Sequence, residues 1–293
     1  MDLSYLYTFK EVVKSGSYTK TGEQLGYAQS SVTTQIKKLE EYYQVKLFER
    51  AGQKMRMTHA GEQLYEYVKQ VTQLMDEAEE RISQGVNAGG ILRLGTVESL
   101  AAYFITPYIK QLKFKHPKLK IQLESGLCPN LKQGVLERSF DLAIMLDHQI
   151  DHPDLASIPI RIEKMILAVP PSHKLTEEPV ISVSQLSEET LILTEEGCAY
   201  RVLLENLLRD NSIQPNSIIS FTSLEAIKQC VIDGLGVAVL PELTVSKEIN
   251  DGTLSALSFD TEEMNLLIQI IFLKKKWLSP VIKQFMGMFA QLE

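Results

Sequence analysis

Residues 29–61 read QSSVTTQIKKLEEYYQVKLFERAGQKMRMTHAG. Val32, Ile36 and Leu39 recur at helical spacing in the first half of this segment, which predicts a helix over residues 29–42 with one buried face. The opposite face carries hydrogen-bonding side chains: Gln29, Ser30, Ser31, Thr33, Thr34, Lys37 and Lys38. Such a face fits a DNA major groove, in which amides and hydroxyls contact base edges and lysines contact phosphates. The solvated face of a small helical bundle is the alternative interpretation.

Two shorter helices are predicted before this segment. Apolar side chains form one stripe there: Leu3, Leu6, Phe9, Val12 and Val13. This stripe predicts an amphipathic helix that ends near residues 15–16. Ser17 suits the N-cap of a second helix over residues 18–25, and residues 26–28 supply a turn. Two short helices joined by a tight turn form a helix-turn-helix, whose second helix enters the major groove.

A β-hairpin wing is predicted after the helices. Residues 46–50 and 55–58 are short alternating segments on either side of a turn that contains Gly52. The hairpin carries three basic side chains, Arg50, Lys54 and Arg56. We expect them to lie against the DNA backbone or the minor groove.

These segments together resemble the N-terminal signature of LysR-type transcription regulators. The matching residues are Phe9, residues 16–18, Leu25, residues 29–33, Ile36, Leu39, Glu40, residues 47–50 and residues 58–61. The resemblance implies a winged helix-turn-helix over residues 1–58, with base contacts from Gln29, Ser30 and Thr33. The full set of expected DNA-binding residues is Ser17, Gln29, Ser30, Ser31, Thr33, Thr34, Lys37, Lys38, Arg50, Lys54 and Arg56. Thr34 stands where family members commonly have an arginine, which leaves the operator sequence open.

A long linker helix is predicted over residues 59–86. Residues 62–86 contain no proline, and apolar side chains recur there with spacing 4, 3, 4, 3, 4: Leu64, Val68, Val71, Met75, Ala78 and Ile82. This spacing is typical of a coiled-coil seam, so we expect a homodimer. A helix that packs on its own domain is the alternative. The family resemblance adds that two dimers commonly assemble into a homotetramer.

The rest of the chain alternates between predicted strands and helices after a short joint at residues 87–90. Strands are predicted at residues 91–95, 119–123, 141–146, 166–169, 190–193, 236–240 and 266–273, and helices at residues 100–115, 131–138, 200–210, 224–232 and 280–292. This alternation predicts a parallel sheet covered by helices. It resembles the two-lobed periplasmic-binding-protein-like effector domain of the same family, with lobe 1 over 91–160 and 267–293 and lobe 2 over 161–266. The complete fold class is therefore α plus α/β.

Candidate effector contacts follow from this architecture. Ligands of open α/β sheets bind beyond the carboxyl ends of strands, near helix N-termini that favour anions. The residues expected there are Thr96, Glu98, Ser99, Cys128, Thr194, Gly197, Cys198 and Ser223. Ordinary helix capping is the alternative role for the hydroxyl side chains. We expect a small-molecule effector, with an organic anion as the first candidate.

Two cysteines allow a second kind of response. Cys128 stands where the family usually has a hydroxyl, and a thiol is a weaker hydrogen-bond donor. Cys198 lies at a predicted helix start, where the helix dipole is expected to lower the pKa of its thiol. A regulator that senses thiol oxidation is therefore an alternative to one that binds a metabolite.

The charge distribution and the cysteine count limit which partners we expect for this chain. Residues 1–60 hold nine Lys/Arg and six Asp/Glu, so they carry +3 in a chain of net charge −7, which fits DNA contact by the N-terminal residues alone. The three cysteines are odd in number and widely spaced, and residues 1–10 lack a secretory pattern, so we expect a cytoplasmic protein without a membrane partner. RNA polymerase would be a further partner of an activator.

Other functional classes find less support. Residues 147–154 contain histidines and aspartates but are predicted to form a loop, so we expect no metal site there. The chain has no nucleophile elbow, P-loop or dinucleotide fingerprint, so we expect neither an enzyme nor a cofactor. Lys274, Lys275 and Lys276 are predicted to form a solvated patch. A solute-binding protein is the competing class, but it leaves residues 1–86 unexplained.

Overall fold

The computed structural model describes residues 2–51, 54–82, 90–178, 180–259 and 262–289. The chain divides into two compact units, Met1–Asn87 with Glu137–Ser139, and Ala88–Leu136 with Phe140–Glu293. We call residues 2–82 the head, and residues 90–136 and 140–289 the body. The turn of the predicted wing and residues 87–89 of the predicted joint lie outside the described residues. No helix within the described ranges has the length and apolar character needed to cross a membrane.

The head contains four helices and one hairpin. Its elements are α1 (Leu3–Ser15), α2 (Tyr18–Leu25), α3 (Gln29–Tyr43), β1 (Phe48–Ala51), β2 (Lys54–Met57) and α4 (His59–Ile82). The predicted helix-turn-helix is confirmed to within one residue at each boundary. Gly16 ends α1 in the left-handed conformation with a φ of 63°, and the Ser17 hydroxyl accepts a hydrogen bond from the Lys20 N–H at the start of α2. These two caps fix the short connection between α1 and α2.

The helices of the head share one apolar core. Phe9, Val32 and Ile36 are at most 1% exposed, and the Phe9 ring lies 5.3 Å from the Phe48 ring of the hairpin. The apolar face predicted for the third helix is therefore the face that packs. Val68 of α4 is also buried in this core, at 1% exposed, so its predicted place in a dimer seam is wrong. The residues that pack around Val68 belong to its own head.

The body is built on a mixed sheet. Its strands are β3 (Ile91–Thr96), β4 (Lys120–Ser125), β5 (Leu142–Asp147), β6 (Leu155–Val169), β7 (Val180–Ile181), β8 (Thr190–Leu193), β9 (Ser217–Ser220), β10 (Ala238–Pro241), β11 (Ser255–Phe259) and β12 (Asn265–Leu273). Its helices are α5 (Glu98–Tyr103), α6 (Thr106–Lys115), α7 (Cys128–Leu136), α8 (Ala199–Asp210), α9 (Leu224–Ile232), α10 (Glu242–Asn250) and α11 (Pro280–Gly287). Strands β3, β4 and β5 are parallel, and β8 and β9 form a separate parallel pair.

The prediction of an all-parallel sheet is wrong because one long strand connects the two halves of the body. Strand β6 pairs antiparallel with β12 up to Lys164, and from Met165 onward it pairs antiparallel with β10. Strand β12 is also antiparallel to β5. The chain therefore changes sheet partners inside a single strand.

The predicted helix over residues 100–115 is two helices, α5 and α6. Pro107 lies in the first turn of α6, where a missing N–H costs nothing, whereas the interior of a longer helix would lose a hydrogen bond there. The sequence patterns also missed α10, β9 and β11. These elements are short, and their burial comes from packing on strands that are distant in sequence.

A buried ion pair joins the start of β5 to the segment that follows β12. The Lys276 ammonium lies 2.8 Å from Asp141 Oδ1, and the second carboxylate oxygen accepts the Arg93 N–H at 2.7 Å. The side chains of Lys276 and Asp141 are 2% and 8% exposed. The predicted solvated patch is therefore wrong at Lys276, although the adjacent Lys275 is exposed.

We expect Lys276→Met to destabilise the body by about 3–5 kcal/mol, because the Asp141 carboxylate would remain buried without its cation. Lys275→Met is the matched control and should change the free energy of unfolding by no more than about 0.5 kcal/mol. Urea unfolding followed by circular dichroism measures both variants. Equal urea midpoints for the two variants would show that the buried pair contributes nothing.

Candidate nucleic-acid interface and ligand cavity

A concave surface that encloses a volume of about 690 Å³ lies between α3, the start of α2 and the hairpin. It brings together four of the predicted DNA-binding side chains: Ser17, Gln29, Thr33 and Lys37. It also includes Thr19 and Lys46, which the sequence patterns missed. The Lys46 ammonium is paired with Glu40 at 2.7 Å. A side chain two residues after a helix cap has no distinctive periodicity, so only the folded head identifies Thr19 as part of this surface.

Gln29 and Thr33 form a hydrogen-bonded pair on this surface. The Gln29 amide donates to Thr33 Oγ1 at 2.8 Å, and the Thr33 hydroxyl donates to the backbone carbonyl of Gln29 at 3.0 Å. Because the two residues are one helical turn apart, each restrains the other. The Gln29 side chain keeps one amide N–H and its carbonyl oxygen for an external partner.

The remaining predicted contacts have different surroundings. Lys38 donates to the Tyr5 hydroxyl at 3.2 Å and lies 5.5 Å from the centre of the Tyr5 ring, so its ammonium is directed toward α1. Thr34 donates to the Ser30 carbonyl at 2.8 Å, and Ser31 is exposed. Arg56 is exposed on β2. The side chains of Arg50 and Lys54 lie outside the described residues.

Helix α4 presents an exposed apolar stripe. Val71, Leu74 and Met75 are 37%, 49% and 42% exposed, and Tyr67 is 68% exposed. Val71 lies four residues after Tyr67, and Leu74 and Met75 lie three and four residues after Val71, so the four side chains share one face of the helix. The heptad prediction included Val71 and Met75 but missed Tyr67 and Leu74. Two predicted positions, Leu64 and Ala78, are half-buried, and the Ile82 side chain lies outside the described residues.

The body contains a cavity of about 30 Å³. It lies where strands β3, β4, β5 and β8 end and helices α5, α7 and α8 begin. The lining residues are Val97, Glu98, Ser99, Gly126, Leu127, Cys128, Leu146, Glu195, Cys198, Ala199 and Tyr200. Four predicted effector contacts are among them. Strand ends therefore converge at this point, as the rule for α/β sheets leads one to expect.

The other four predicted effector contacts do not line the cavity. Thr96 and Thr194 are buried, at 0% and 4% exposed. Each is the sequence neighbour of a lining residue, Val97 or Glu195. Ser223 caps α9, where its hydroxyl accepts the Ala226 N–H at 3.4 Å. Gly197 occupies a turn with a φ of 86°. Capping accounts for Ser223, so the structure corrects the expectation that its hydroxyl faces a ligand.

Glu195 and Tyr200 are lining residues with polar side chains that the sequence analysis missed. Glu195 comes two residues after the end of β8, where the strand-end rule applies, but the contacts predicted near that strand end were Thr194, Gly197 and Cys198. Tyr200 is 8% exposed and follows the apolar spacing of α8, so its pattern indicates only core packing.

Burial dominates the chemistry of both cavity thiols. Burial raises the pKa of Cys128 to about 12, with a further increase from the charge of Asp147. Burial also raises the pKa of Cys198, and this effect exceeds that of the hydrogen bonds from Thr194, Arg201 and Tyr200, which lower it. The predicted lowering of the Cys198 pKa by the helix dipole is therefore wrong.

The polar lining of the cavity is acidic. Burial raises the pKa of Glu98, the nearby charge of Glu195 raises it further, and a hydrogen bond from the Leu224 N–H lowers it. Ser99 is 2% exposed, and its hydroxyl has no hydrogen-bond partner among the described residues. None of the lining residues is lysine or arginine.

Comparison with known proteins gives the same division of the chain. Residues 3–62 match the bacterial regulatory helix-turn-helix protein, lysR family, and residues 87–292 match the LysR substrate binding domain. An uncharacterized HTH-type transcriptional regulator of Bacillus subtilis, YwqM, is 34% identical over 289 residues, or 98% of each chain. The regulator GltR of the same species is 28% identical over 287 residues, which are 98% of this chain and 95% of GltR.

Solved structures share the fold over the whole chain. Full-length OxyR from Pseudomonas aeruginosa superposes with a TM-score of 0.76 at 21% identity, covering 100% of this chain and 94% of that one. Full-length CbnR complexed with its target DNA superposes with a TM-score of 0.71 at 18% identity, covering 100% of both chains. These two structures confirm the predicted fold class.

We expect iodoacetamide at pH 8 to leave Cys128 and Cys198 of the native protein unmodified. With a pKa of about 12, only about 10⁻⁴ of the Cys128 thiol is ionised at that pH, and the thiolate is the reactive form. Mass spectrometry of each cysteine peptide measures the modification. The control is the same reaction in concentrated urea, where all three cysteines should react; native modification of Cys128 or Cys198 at the urea rate would restore the redox interpretation.

Proposed function

Because the chain belongs to the LysR family of transcriptional regulators, we propose that it binds an interrupted palindromic promoter site as a dimer and responds to a small molecule in the body cavity. The observation that carries this proposal is the surface that joins Gln29, Thr33 and Lys37. Its side chains supply the two kinds of contact that DNA recognition requires, base edges and phosphates.

Helix α3 is the proposed recognition helix. Gln29 stands at its first position, and the Thr33 hydroxyl holds the Gln29 amide at 2.8 Å. A glutamine side chain accepts from N6 and donates to N7 of adenine in the major groove. The pairing with Thr33 leaves both of those groups available on Gln29, so we propose adenine as its base partner. Lys37 is exposed and lies one helical turn after Thr33, where its ammonium can contact phosphate.

The exposed stripe on α4 is the proposed dimer contact. Tyr67, Val71, Leu74 and Met75 give this helix an apolar face that its own head does not cover. A second copy of the same helix offers a matching face, and the heptad spacing suits a two-helix contact. Two heads would then present two recognition helices to two half-sites. Assembly of two such dimers into a tetramer, and contact with RNA polymerase by an activator, are further parts of the proposal.

The cavity is the proposed effector site. Four strand ends and the starts of three helices meet there, so a bound molecule would contact several elements at once. For such a molecule to act as a switch, it must bind one arrangement of the protein more tightly than the other.

A gel-shift experiment with the DNA upstream of the chain's own gene tests the proposal as a whole. Retardation that an unrelated DNA of equal length does not compete away is the expected result. Absence of retardation at low salt, where electrostatic binding is strongest, would instead favour a solute-binding protein.

We expect Gln29→Ala to weaken binding to the specific site by about 1–3 kcal/mol, because one bidentate base contact is lost. Binding to unrelated DNA should stay nearly unchanged. Fluorescence anisotropy with both DNAs gives the two affinities, and Gln70→Ala, which removes an exposed glutamine from α4, is the matched control.

Lys37→Ala provides the contrasting variant for the same measurement. Loss of a phosphate contact should weaken binding to both DNAs and reduce the slope of log affinity against log salt by about one. Identical behaviour of the Gln29 and Lys37 variants would refute this division of roles.

We expect Met75→Lys to shift the protein from dimer toward monomer, because the new ammonium would be buried without a partner in the apolar contact. Analytical ultracentrifugation across a concentration series measures the dimer dissociation constant. Glu62→Lys places a lysine at an exposed position elsewhere on α4, with a charge change one unit larger, and should leave the constant unchanged. A dimer of undiminished strength in Met75→Lys would place the contact elsewhere.

A further inference from the structure

The body cavity is lined by two glutamates. Glu98 begins α5 immediately after β3, and Glu195 follows β8. Both line the cavity, and the charge of Glu195 acts on Glu98 strongly enough to raise the pKa of the Glu98 carboxyl beyond the effect of burial. Two carboxylates in one small cavity repel each other. A positive charge placed between them would remove this repulsion.

A third group in the same cavity lacks a partner. The Ser99 side chain is 2% exposed and lines the cavity, and its hydroxyl makes no hydrogen bond to any of the described residues. Burial of an unpaired hydroxyl is unfavourable unless a partner is supplied. A ligand with hydrogen-bond donors would supply one, because a hydroxyl oxygen accepts as well as donates.

The cations near the cavity are already engaged. Lys132 is paired with Asp147 at 2.8 Å. Arg201 donates to Glu205 at 2.7 Å and to the Thr194 carbonyl at 2.6 Å. Neither residue lines the cavity. An organic anion, which the sequence rule favoured, would therefore meet two carboxylates and no compensating side-chain cation.

We propose that the cavity binds the ammonium group of a small organic amine between Glu98 and Glu195, with Ser99 as the third acceptor. This inference rests on the effector role proposed above and names the ligand class. An ammonium group has three donors, which matches two carboxylates and one hydroxyl. Val97, Leu127 and Leu146 line the same cavity and suit an aliphatic chain.

Two alternatives fit less well. A metal ion needs several ligating side chains, and no group of three or more His, Cys, Asp or Glu residues comes together in the described part of the chain. A large metabolite does not fit a volume of about 30 Å³, which is close to the space of one or two water molecules. The ammonium head group fits this volume, and a short chain would extend along Val97, Leu127 and Leu146 toward the open side of the cavity.

Binding of three matched probes to the full-length protein tests the proposal. Propylammonium chloride, propionamide and sodium propionate have similar size but carry positive, zero and negative charge. At constant ionic strength, ligand-observed NMR should show saturable binding of propylammonium with a dissociation constant of about millimolar order, a reasonable strength for four heavy atoms. Propionamide and propionate should bind at least about tenfold more weakly.

Variants locate the bound probe. Glu195→Gln should weaken propylammonium binding at least about tenfold, which is the loss expected when one of two charge partners is removed. Glu196→Gln is the matched control, because Glu196 is the adjacent glutamate, is exposed and does not line the cavity. If Glu195→Gln fails to fold, as judged by circular dichroism, propylammonium binding is measured with Glu98→Gln instead.

Each outcome decides the inference. Absence of saturable propylammonium binding up to about 50 mM, preference for propionate, or equal binding by the Glu195 and Glu196 variants would overturn it. Specific DNA retardation with no amine binding would remove only this inference. Loss of DNA retardation with amine binding retained would remove the proposed function and leave the cavity assignment intact.

Discussion

The antiparallel ladder between β6 and β12 is the constraint on which the body depends. It pairs residues 155–164 with residues 265–273 and contains a bulge at Ile268 and Gln269. Gln269 is completely buried, yet its amide accepts from Ser157 Oγ at 2.7 Å and from the Ile150 N–H at 3.2 Å, and donates to the carbonyls of His148 and Asp147. A buried amide with four partners fixes the end of β5, whose Leu146 lines the cavity.

Local periodicity made much of the head predictable. The spacing of Val32, Ile36 and Leu39 is a property of one helix, so the sequence indicates both the helix and its buried face. The spacing of apolar residues does not reveal which other part of the protein covers the apolar face of a helix. Val68 and Val71 fit one heptad pattern, but Val68 packs into the head while Val71 is 37% exposed. Only the folded head separates the side of α4 that packs internally from the side that is open.

Pairings between distant residues account for the errors in the body. Residues 155–164 have no continuous apolar run, so the first two thirds of β6 could be recognised only through β12, about a hundred residues later. Lys276 is buried because Asp141 lies beside it, and the sequence pattern of three lysines contains no sign of that partner. The strand-end rule did locate Ser99 and Cys128, but Glu195 required the geometry of the cavity.

The ligand chemistry of the cavity depends on its side chains more than on its fold. A helix N-terminus contributes the equivalent of about half a positive charge, and this general feature led to the expectation of an anion. Glu98 and Glu195 each contribute a full negative charge when ionised, and no lysine or arginine lines the cavity beside them. Burial raises the pKa of Glu98, and the negative charge of Glu195 raises it further. Structures that share this fold at 18% or 21% identity support only the fold of the body, while the carboxylates that line its cavity determine the sign of the charge it favours.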